Sequence, residues 1–139
     1  MNYLLDTNVL SELRKGHRAD RGVQHWFSGC EDEQLFTSVL CLGEIRMGIE
    51  AVKPRDPIFA ARLQLWLDHT LENFEERIIA VDQTIALEWG LGSAPVSRAP
   101  IDELLAATAK IHSMTLVTRN VRDIEHTGVS YLNPFEPIH

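Results

Sequence analysis

Short apolar runs alternate with helix-forming segments along the chain, and this alternation limits the possible folds more than any other feature of the sequence. Five runs predict short buried strands, at residues 3–5, 34–37, 77–81, 115–118 and 129–132. The segments between them carry apolar residues at spacings of three and four, a pattern typical of amphipathic helices. The alternation therefore predicts an α/β fold in three layers with a mainly parallel central sheet.

The helical pattern is clear enough to give approximate limits for six helices. They are predicted at residues 9–15, 21–28, 38–53, 58–74, 82–89 and 102–112. In the longest of them, Ala61, Leu65 and Leu71 mark the predicted buried face. The Gly-, Pro- and Ser-containing segment 90–100 is interpreted as a connection, and residues 133–139 as a tail.

Length, charge and cysteine content bound the class of protein. The 139 residues fit one domain spanning 1–139, and a net charge of −7 argues against nucleic-acid binding through bulk positive charge. No apolar run approaches the roughly 20 residues of a membrane helix, and the N-terminus lacks the basic start of a signal peptide. Cys30 and Cys41 form no CxxC pair, so we expect a soluble cytoplasmic protein with reduced cysteines and no membrane partner.

Four carboxylates fall where this fold would gather them. Asp6 follows the first predicted strand, and Asp123 comes shortly after the fourth. Glu44 lies on the helix after the second strand, and Asp102 begins the helix before the fourth. Because the carboxyl ends of parallel strands share one edge of the sheet, where ligands of open α/β sheets bind, we expect these side chains to lie close together.

A cluster of four carboxylates is stable only when cations or protons offset the repulsion between them. Mg²⁺ prefers oxygen ligands and keeps coordination positions for water and substrate phosphate, which suits phosphodiester hydrolysis. Each acid also has a purely structural explanation: a helix cap for Asp6 and Asp102, a solvated turn for Asp123, and the border of an apolar helix face for Glu44. These separate explanations do not account for the four falling together.

Five sequence blocks resemble the PIN-domain ribonucleases, and within them the VapC-like toxins of prokaryotic toxin–antitoxin pairs. The blocks are, in chain order, YLLDTNVLSEL at 3–13, SVLCLGEIRMG at 38–48, DELLAATA at 102–109, TRNVRD at 118–123 and NPF at 133–135. They cover nearly the whole length in the family's order. Ile124 departs from the aromatic residue expected after the fourth acid, and this difference concerns local packing.

The resemblance implies a PIN-like three-layer α/β/α sandwich with Mg²⁺-dependent endoribonuclease activity, Mn²⁺ being able to substitute. If the roles of the family's motif positions apply to this chain, Asp6 and Asp102 would be the principal metal ligands. Glu44 and Asp123 would complete the catalytic site directly or through water. The partners implied are an RNA substrate, a cognate antitoxin protein that blocks the site, and a second copy in a homodimer or a larger toxin–antitoxin assembly.

Three polar residues and one basic stretch have supporting roles in this interpretation. The resemblance implies that Asn8, Thr118 and Asn120 orient ligands or the scissile phosphate. The stretch from Arg14 to Arg21 carries four basic side chains, and our hypothesis is that it guides RNA or antitoxin. Ordinary solvated surface charges are the alternative explanation for the stretch.

Other proteins with early acidic residues fit less well. A haloacid-dehalogenase-type phosphatase would carry a second acid where this chain has Asn8, and a receiver domain would carry a Lys in the region of Thr118 and Asn120. The alternative from another class is a catalytically silent PIN-like module that binds protein or RNA. Four intact carboxylates favour an enzyme, because a silent module has no need to maintain their repulsion.

Overall fold

The computed structural model describes residues 1–137 and contains a five-stranded parallel sheet. Its strands are β1 (Tyr3–Leu5), β2 (Leu35–Ser38), β3 (Ile78–Ile79), β4 (Thr115–Val117) and β5 (Tyr131–Leu132). The strand order is β3-β2-β1-β4-β5, with parallel pairing throughout. The predicted α/β fold is confirmed, and the last two residues of the predicted domain, 138 and 139, lie outside the described part.

Helices flank the sheet in a three-layer α/β/α arrangement. They are α1 (Thr7–Leu13), α2 (Arg21–Ser28), α3 (Val39–Val52), α4 (Pro57–Phe74), α5 (Gln83–Ser93) and α6 (Pro100–Ile111). Different helices cover different strands. Helices α3 and α4 pack on β2, and α6 packs on β1 and β4, whereas α5 packs on α6. Within residues 1–137, no helix is long and apolar enough to cross a bilayer.

Aspartate side chains begin four of the helices. Asp6, Asp20, Asp56 and Asp82 each accept a hydrogen bond from a backbone N–H in the first turn of the helix that follows. Such caps satisfy backbone donors that have no partner inside the helix. Asp102 is not a cap, because α6 begins at Pro100 and Asp102 is its third residue. The structural explanation by capping therefore applies to Asp6 and does not apply to Asp102.

The buried face of α4 differs from the predicted one. The helix buries Ala60, Leu67 and Thr70, whereas Leu65 is 57% exposed and Leu71 is 40% exposed. Apolar residues occur on more than one face of this helix, so spacings of three and four fit two different stripes. The prediction of the helix is right, and the prediction of its buried face is wrong.

Two predicted boundaries are also corrected. Helix α5 continues to Ser93, so residues 90–93 are helical and their interpretation as a connection is wrong. The two glycines of this segment cost helix stability but do not prevent a helix. The third predicted strand, 77–81, is shortened to Ile78–Ile79: the 3-10 turn Glu75–Arg77 ends directly before it, and residues 80–82 after it have no regular structure.

The core lies between the sheet and its helices. Strands β1 and β4 contribute Leu4, Leu5, Leu116 and Val117, all of them essentially inaccessible to solvent. Ile124, the residue that departs from the family pattern, is also fully buried and belongs to the same core cluster. A rigid, fully packed pair of central strands thus ends at the edge where the polar residues are found.

Candidate metal and catalytic site

Asp6 and Thr118 occupy equivalent positions at the ends of two adjacent strands. Asp6 follows β1 and is only 3% exposed, and Thr118 follows β4 and is buried as well. The Thr118 hydroxyl donates a 2.8 Å hydrogen bond to Asp6 Oδ2, and the Thr7 backbone N–H donates a 2.6 Å bond to Asp6 Oδ1. Both carboxylate oxygens of Asp6 are therefore held in fixed directions.

The other two residues of the polar group predicted to orient ligands, Asn8 and Asn120, connect to the same pair. The Asn8 side chain donates to Asp6 Oδ2 at 3.3 Å and accepts from the Arg119 backbone N–H at 3.2 Å. The Asn120 backbone N–H donates to the Thr118 hydroxyl at 3.0 Å, while the Asn120 residue is exposed to solvent. These bonds join the loop after β4 to the start of α1.

Glu44 reaches the site from α3. Its Oε1 accepts a 2.6 Å hydrogen bond from the Thr7 hydroxyl. Cys41 lies one helical turn earlier, and its sulfur, one carboxylate oxygen of Asp6 and one of Glu44 all lie within 4.8 Å of one another. Burial, followed by the charge of Asp6, raises the pKa of Cys41 to about 11, so this side chain is a neutral thiol near pH 7.

Asp102 and Asp123 are the other two predicted acids. Asp102 is half-buried on the first turn of α6, and Asp123 is exposed at the end of the 3-10 turn Val121–Asp123. Burial raises the pKa of Asp102 to about 7, with further increases from the charges of Asp6, Asp123 and Glu44 and from a hydrogen bond to Asp123. The charges of Asp6, Asp123 and Glu44 therefore all act on the Asp102 carboxyl group. Among the described residues, the group within 4.8 Å contains Asp6, Cys41 and Glu44, and it includes neither Asp102 nor Asp123.

The donor chemistry suits a hard divalent cation. Burial raises the pKa of Asp6 as well, and the neighbouring Glu44 charge adds to this effect, although hydrogen bonds from Thr118, Thr7 and Asn8 oppose it. Such shifts mean that the carboxylates resist being ionised together without a positive charge between them. Carboxylate oxygens are the ligands that hard divalent cations prefer, so these residues could hold such a cation.

Sequence reasoning missed two residues of this site. Cys41 lies three positions before Glu44 on α3, and this helical spacing is a signal that could have identified it. Thr7 lies between two residues that were identified, but nothing in its position predicts that its hydroxyl binds Glu44. That contact depends on how α1 packs against α3, which the sequence pattern does not reveal.

The sequence profile of the PIN domain family matches residues 3–129. The chain belongs to the PIN domain family. Among similar proteins, the VapC ribonuclease Y4jK of Sinorhizobium fredii is 32% identical to this PIN domain over 96% of the chain and 98% of the relative. Toxin FitB of Neisseria gonorrhoeae is 28% identical over 95% of the chain and 97% of the relative.

Solved structures agree with the family assignment. The structure of FitAB bound to an IR36 DNA fragment contains a chain 27% identical to this PIN domain, with a TM-score of 0.84 over 99% of this chain and 98% of that one. DNA-bound VapBC from Salmonella typhimurium has a TM-score of 0.75 at 18% identity, covering 96% of this chain and 98% of that one, which shows a common fold.

The basic stretch of this PIN domain is partly engaged in intramolecular contacts. The Arg14 guanidinium lies 5.6 Å from the ring centre of Phe59 and 5.8 Å from that of Trp66. Lys15 forms a 3.0 Å ion pair with Glu12. All four basic residues, Arg14, Lys15, Arg18 and Arg21, are exposed at the surface. That this stretch guides RNA or antitoxin stays a hypothesis.

Proposed function

We propose that this PIN domain is a Mg²⁺-dependent endoribonuclease that acts as the toxin of a toxin–antitoxin pair. The observation that supports the proposal is that Asp6 and Glu44 lie in one group within 4.8 Å, while the charges of Asp6, Asp123 and Glu44 add to burial in raising the pKa of Asp102 to about 7. Full-length similarity to a VapC ribonuclease and to toxin FitB supports the same function.

In this proposal Asp6 and Asp102 are the principal metal ligands, and Glu44 and Asp123 bind directly or through water. A bound Mg²⁺ would supply Lewis-acid stabilisation of the attacked phosphate and a more acidic water, and Mn²⁺ would substitute for it. The carboxylates fit this role because they are concentrated in one place and their neutralisation by a cation removes an unfavourable repulsion.

The remaining residues fix the geometry of the carboxylates and of the substrate. Thr118 and Asn8 hold Asp6, and Thr7 holds Glu44, so that little reorganisation is needed when substrate binds. Asn120 lies exposed beside Thr118, where its side-chain amide is available to donate a hydrogen bond to the scissile phosphate. The exposed edge containing Asp123 and Asn120 is the side from which an RNA backbone would approach.

Two similar solved structures are of complexes. One is FitAB bound to a DNA fragment, and the other is a toxin–antitoxin complex from Klebsiella pneumoniae. By analogy we propose that this chain, in the cytoplasm, cleaves RNA, is blocked by a cognate antitoxin, and forms a homodimer that assembles further with the antitoxin. A silent PIN-like binding module is the alternative function.

Cleavage of structured and total RNA tests the proposal. Wild-type protein is compared with Asp6→Asn, with and without Mg²⁺ and a chelator, and Asp82→Asn serves as the matched control. Asp6 and Asp82 both cap helices, but Asp82 begins α5, outside the acidic site. We expect cleavage by wild type and Asp82→Asn only with metal, and none by Asp6→Asn. Cleavage that survives chelation or the Asp6 change contradicts the proposal, and antitoxin binding without any cleavage favours the silent module.

A further inference from the structure

Glu103, the residue after Asp102 on α6, is an acidic side chain in an almost completely buried position. The residue is 2% exposed, and its neighbours Leu105 and Ala106 are fully buried. Its Oε1 accepts a 2.5 Å hydrogen bond from the Ser97 hydroxyl, and its Oε2 lies 2.9 Å from His126 Nε2. A carboxylate removed from water in this way is stable only if such partners compensate the lost hydration.

Both carboxylate oxygens of Glu103 have a hydrogen-bond partner. Ser97 contacts Oε1 and His126 contacts Oε2, so the buried side chain is held from two sides.

These partners belong to two different segments of the chain. Residues 97–99 lead directly into α6, whose third residue is Asp102. His126 belongs to the 3-10 turn Glu125–Thr127, which follows the turn that ends at Asp123. One buried carboxylate thus ties together the two segments that carry Asp102 and Asp123.

We propose that Glu103 is a positioning residue which, through Ser97 and His126, holds Asp102 and Asp123 at the spacing that the metal site requires. This inference rests on the proposed function of the acidic site. Asp102 and Asp123 lie on the two segments that Glu103 connects, so without this connection their spacing would not be fixed and they would bind a cation less tightly. Changes to residues that orient metal ligands typically weaken metal affinity about 10- to 100-fold.

Lys110 provides a matched control in the same region. Its Nζ donates a 2.9 Å hydrogen bond to the Thr127 carbonyl and forms a 2.9 Å ion pair with Glu88. It therefore also ties the turn Glu125–Thr127 to α6, but from the C-terminal end of the helix, away from Asp102. Lys110→Met removes a hydrogen bond between the same turn and α6, together with the ion pair to Glu88, and leaves the Ser97–Glu103–His126 contacts in place.

Calorimetric titration of the metal-free full chain with Mn²⁺ tests the inference. His126 is suited to substitution because its side chain is 39% exposed, so the variants should fold. We expect His126→Ala to weaken Mn²⁺ binding by about tenfold or more. His126→Gln should recover most of this loss, because its side-chain amide can donate to Glu103 Oε2. Lys110→Met should bind Mn²⁺ as wild type does, even if its melting temperature falls.

The possible outcomes separate this inference from the proposed function. Wild-type Mn²⁺ affinity in His126→Ala overturns the inference while leaving the metal site intact. Equal losses in His126→Ala, His126→Gln and Lys110→Met also overturn it, because they indicate general loosening rather than positioning. A wild-type protein that binds no Mn²⁺ contradicts the proposed function itself, and the inference then fails with it.

Discussion

The Thr118 hydroxyl donates a 2.8 Å hydrogen bond to the Asp6 carboxylate, across 112 residues of sequence. The two residues meet because β1 and β4 are adjacent parallel strands that end at the same level, with Leu5 opposite Val117. The bond is buried and charge-assisted, which makes it both strong and directional. Asp6 is thus oriented by the fold itself, before any cation binds.

Thr118→Val should weaken Mn²⁺ binding as well as the fold. Valine has nearly the same shape but cannot donate to Asp6, so we expect a loss of about 1–3 kcal/mol in the free energy of unfolding and weaker Mn²⁺ binding. Urea unfolding and calorimetry measure the two effects. Thr70→Val is the control, because Thr70 is also buried but donates to the Trp66 carbonyl. Unchanged Mn²⁺ affinity in Thr118→Val would show that this bond does not orient a ligand.

The stability of the metal-free protein should depend on the ionisation of Asp102. Its pKa is raised from 3.8 to about 7, first by burial and then by the charges of Asp6 and Asp123. The stability that its protonated form provides is complete below pH 3.8, declines as the pH rises, and is lost above about 7. Melting temperatures of wild type and Asp102→Asn should therefore agree only below about pH 3.8, with the variant increasingly higher as the pH rises and the difference levelling off above about pH 7. A difference independent of pH would refute this prediction.

Binding of Mg²⁺ should release protons for the same reason. A cation binds the ionised form of Asp102, so the affinity should increase with pH up to about pH 7 and then level off. Calorimetric titrations in two buffers of different ionisation enthalpy give the number of protons released at each pH. We expect a value that falls toward zero above pH 8. Release that does not change between pH 6 and pH 8 would exclude Asp102 as the titrating ligand.

A close approach of the backbone should limit substitution at Gly22. A Cβ atom there would lie 2.3 Å from the Pro134 carbonyl oxygen and 2.9 Å from the Glu136 nitrogen, so the C-terminal segment would have to move away from α2. We expect Gly22→Ala to lower the free energy of unfolding by about 1–3 kcal/mol. Gly29→Ala, whose Cβ would make an ordinary 3.6 Å contact, is the comparison. Equal stability of the two variants would show that the segment adapts without cost.

The fold could be predicted largely from the alternation of apolar runs, because strands buried on both faces leave a strong signal in sequence. The side of α4 that is buried could not, since Leu65 and Leu67 both continue an apolar stripe and only packing against β2 and α3 selects Leu67. Local pattern determines that an element exists, and tertiary contacts determine which of its faces is covered.

The candidate site could likewise be predicted only in part from local sequence pattern. The positions of Asp6 and Asp123 follow from strand ends, which parallel topology brings to one edge. The approach of Glu44 and Asp102 depends on how α3 and α6 lie on the sheet. The periodicity of the helices does not predict it, and the expectation that both acids belong to the site came from the family resemblance. The hydrogen bond between Glu103 and His126 could not be predicted from the sequence, because it depends on the path of a turn after β4.

The most direct test of the metal site is the rate of RNA cleavage as a function of Mg²⁺ concentration for wild type, Asp102→Asn and Asp82→Asn. We expect wild type and Asp82→Asn to give the same saturable dependence on Mg²⁺. Cleavage by Asp102→Asn should remain at the level of chelated wild type, because the metal has lost a principal ligand. Wild-type cleavage by Asp102→Asn at the same Mg²⁺ concentrations would contradict the assignment of the four carboxylates as a metal-dependent ribonuclease site.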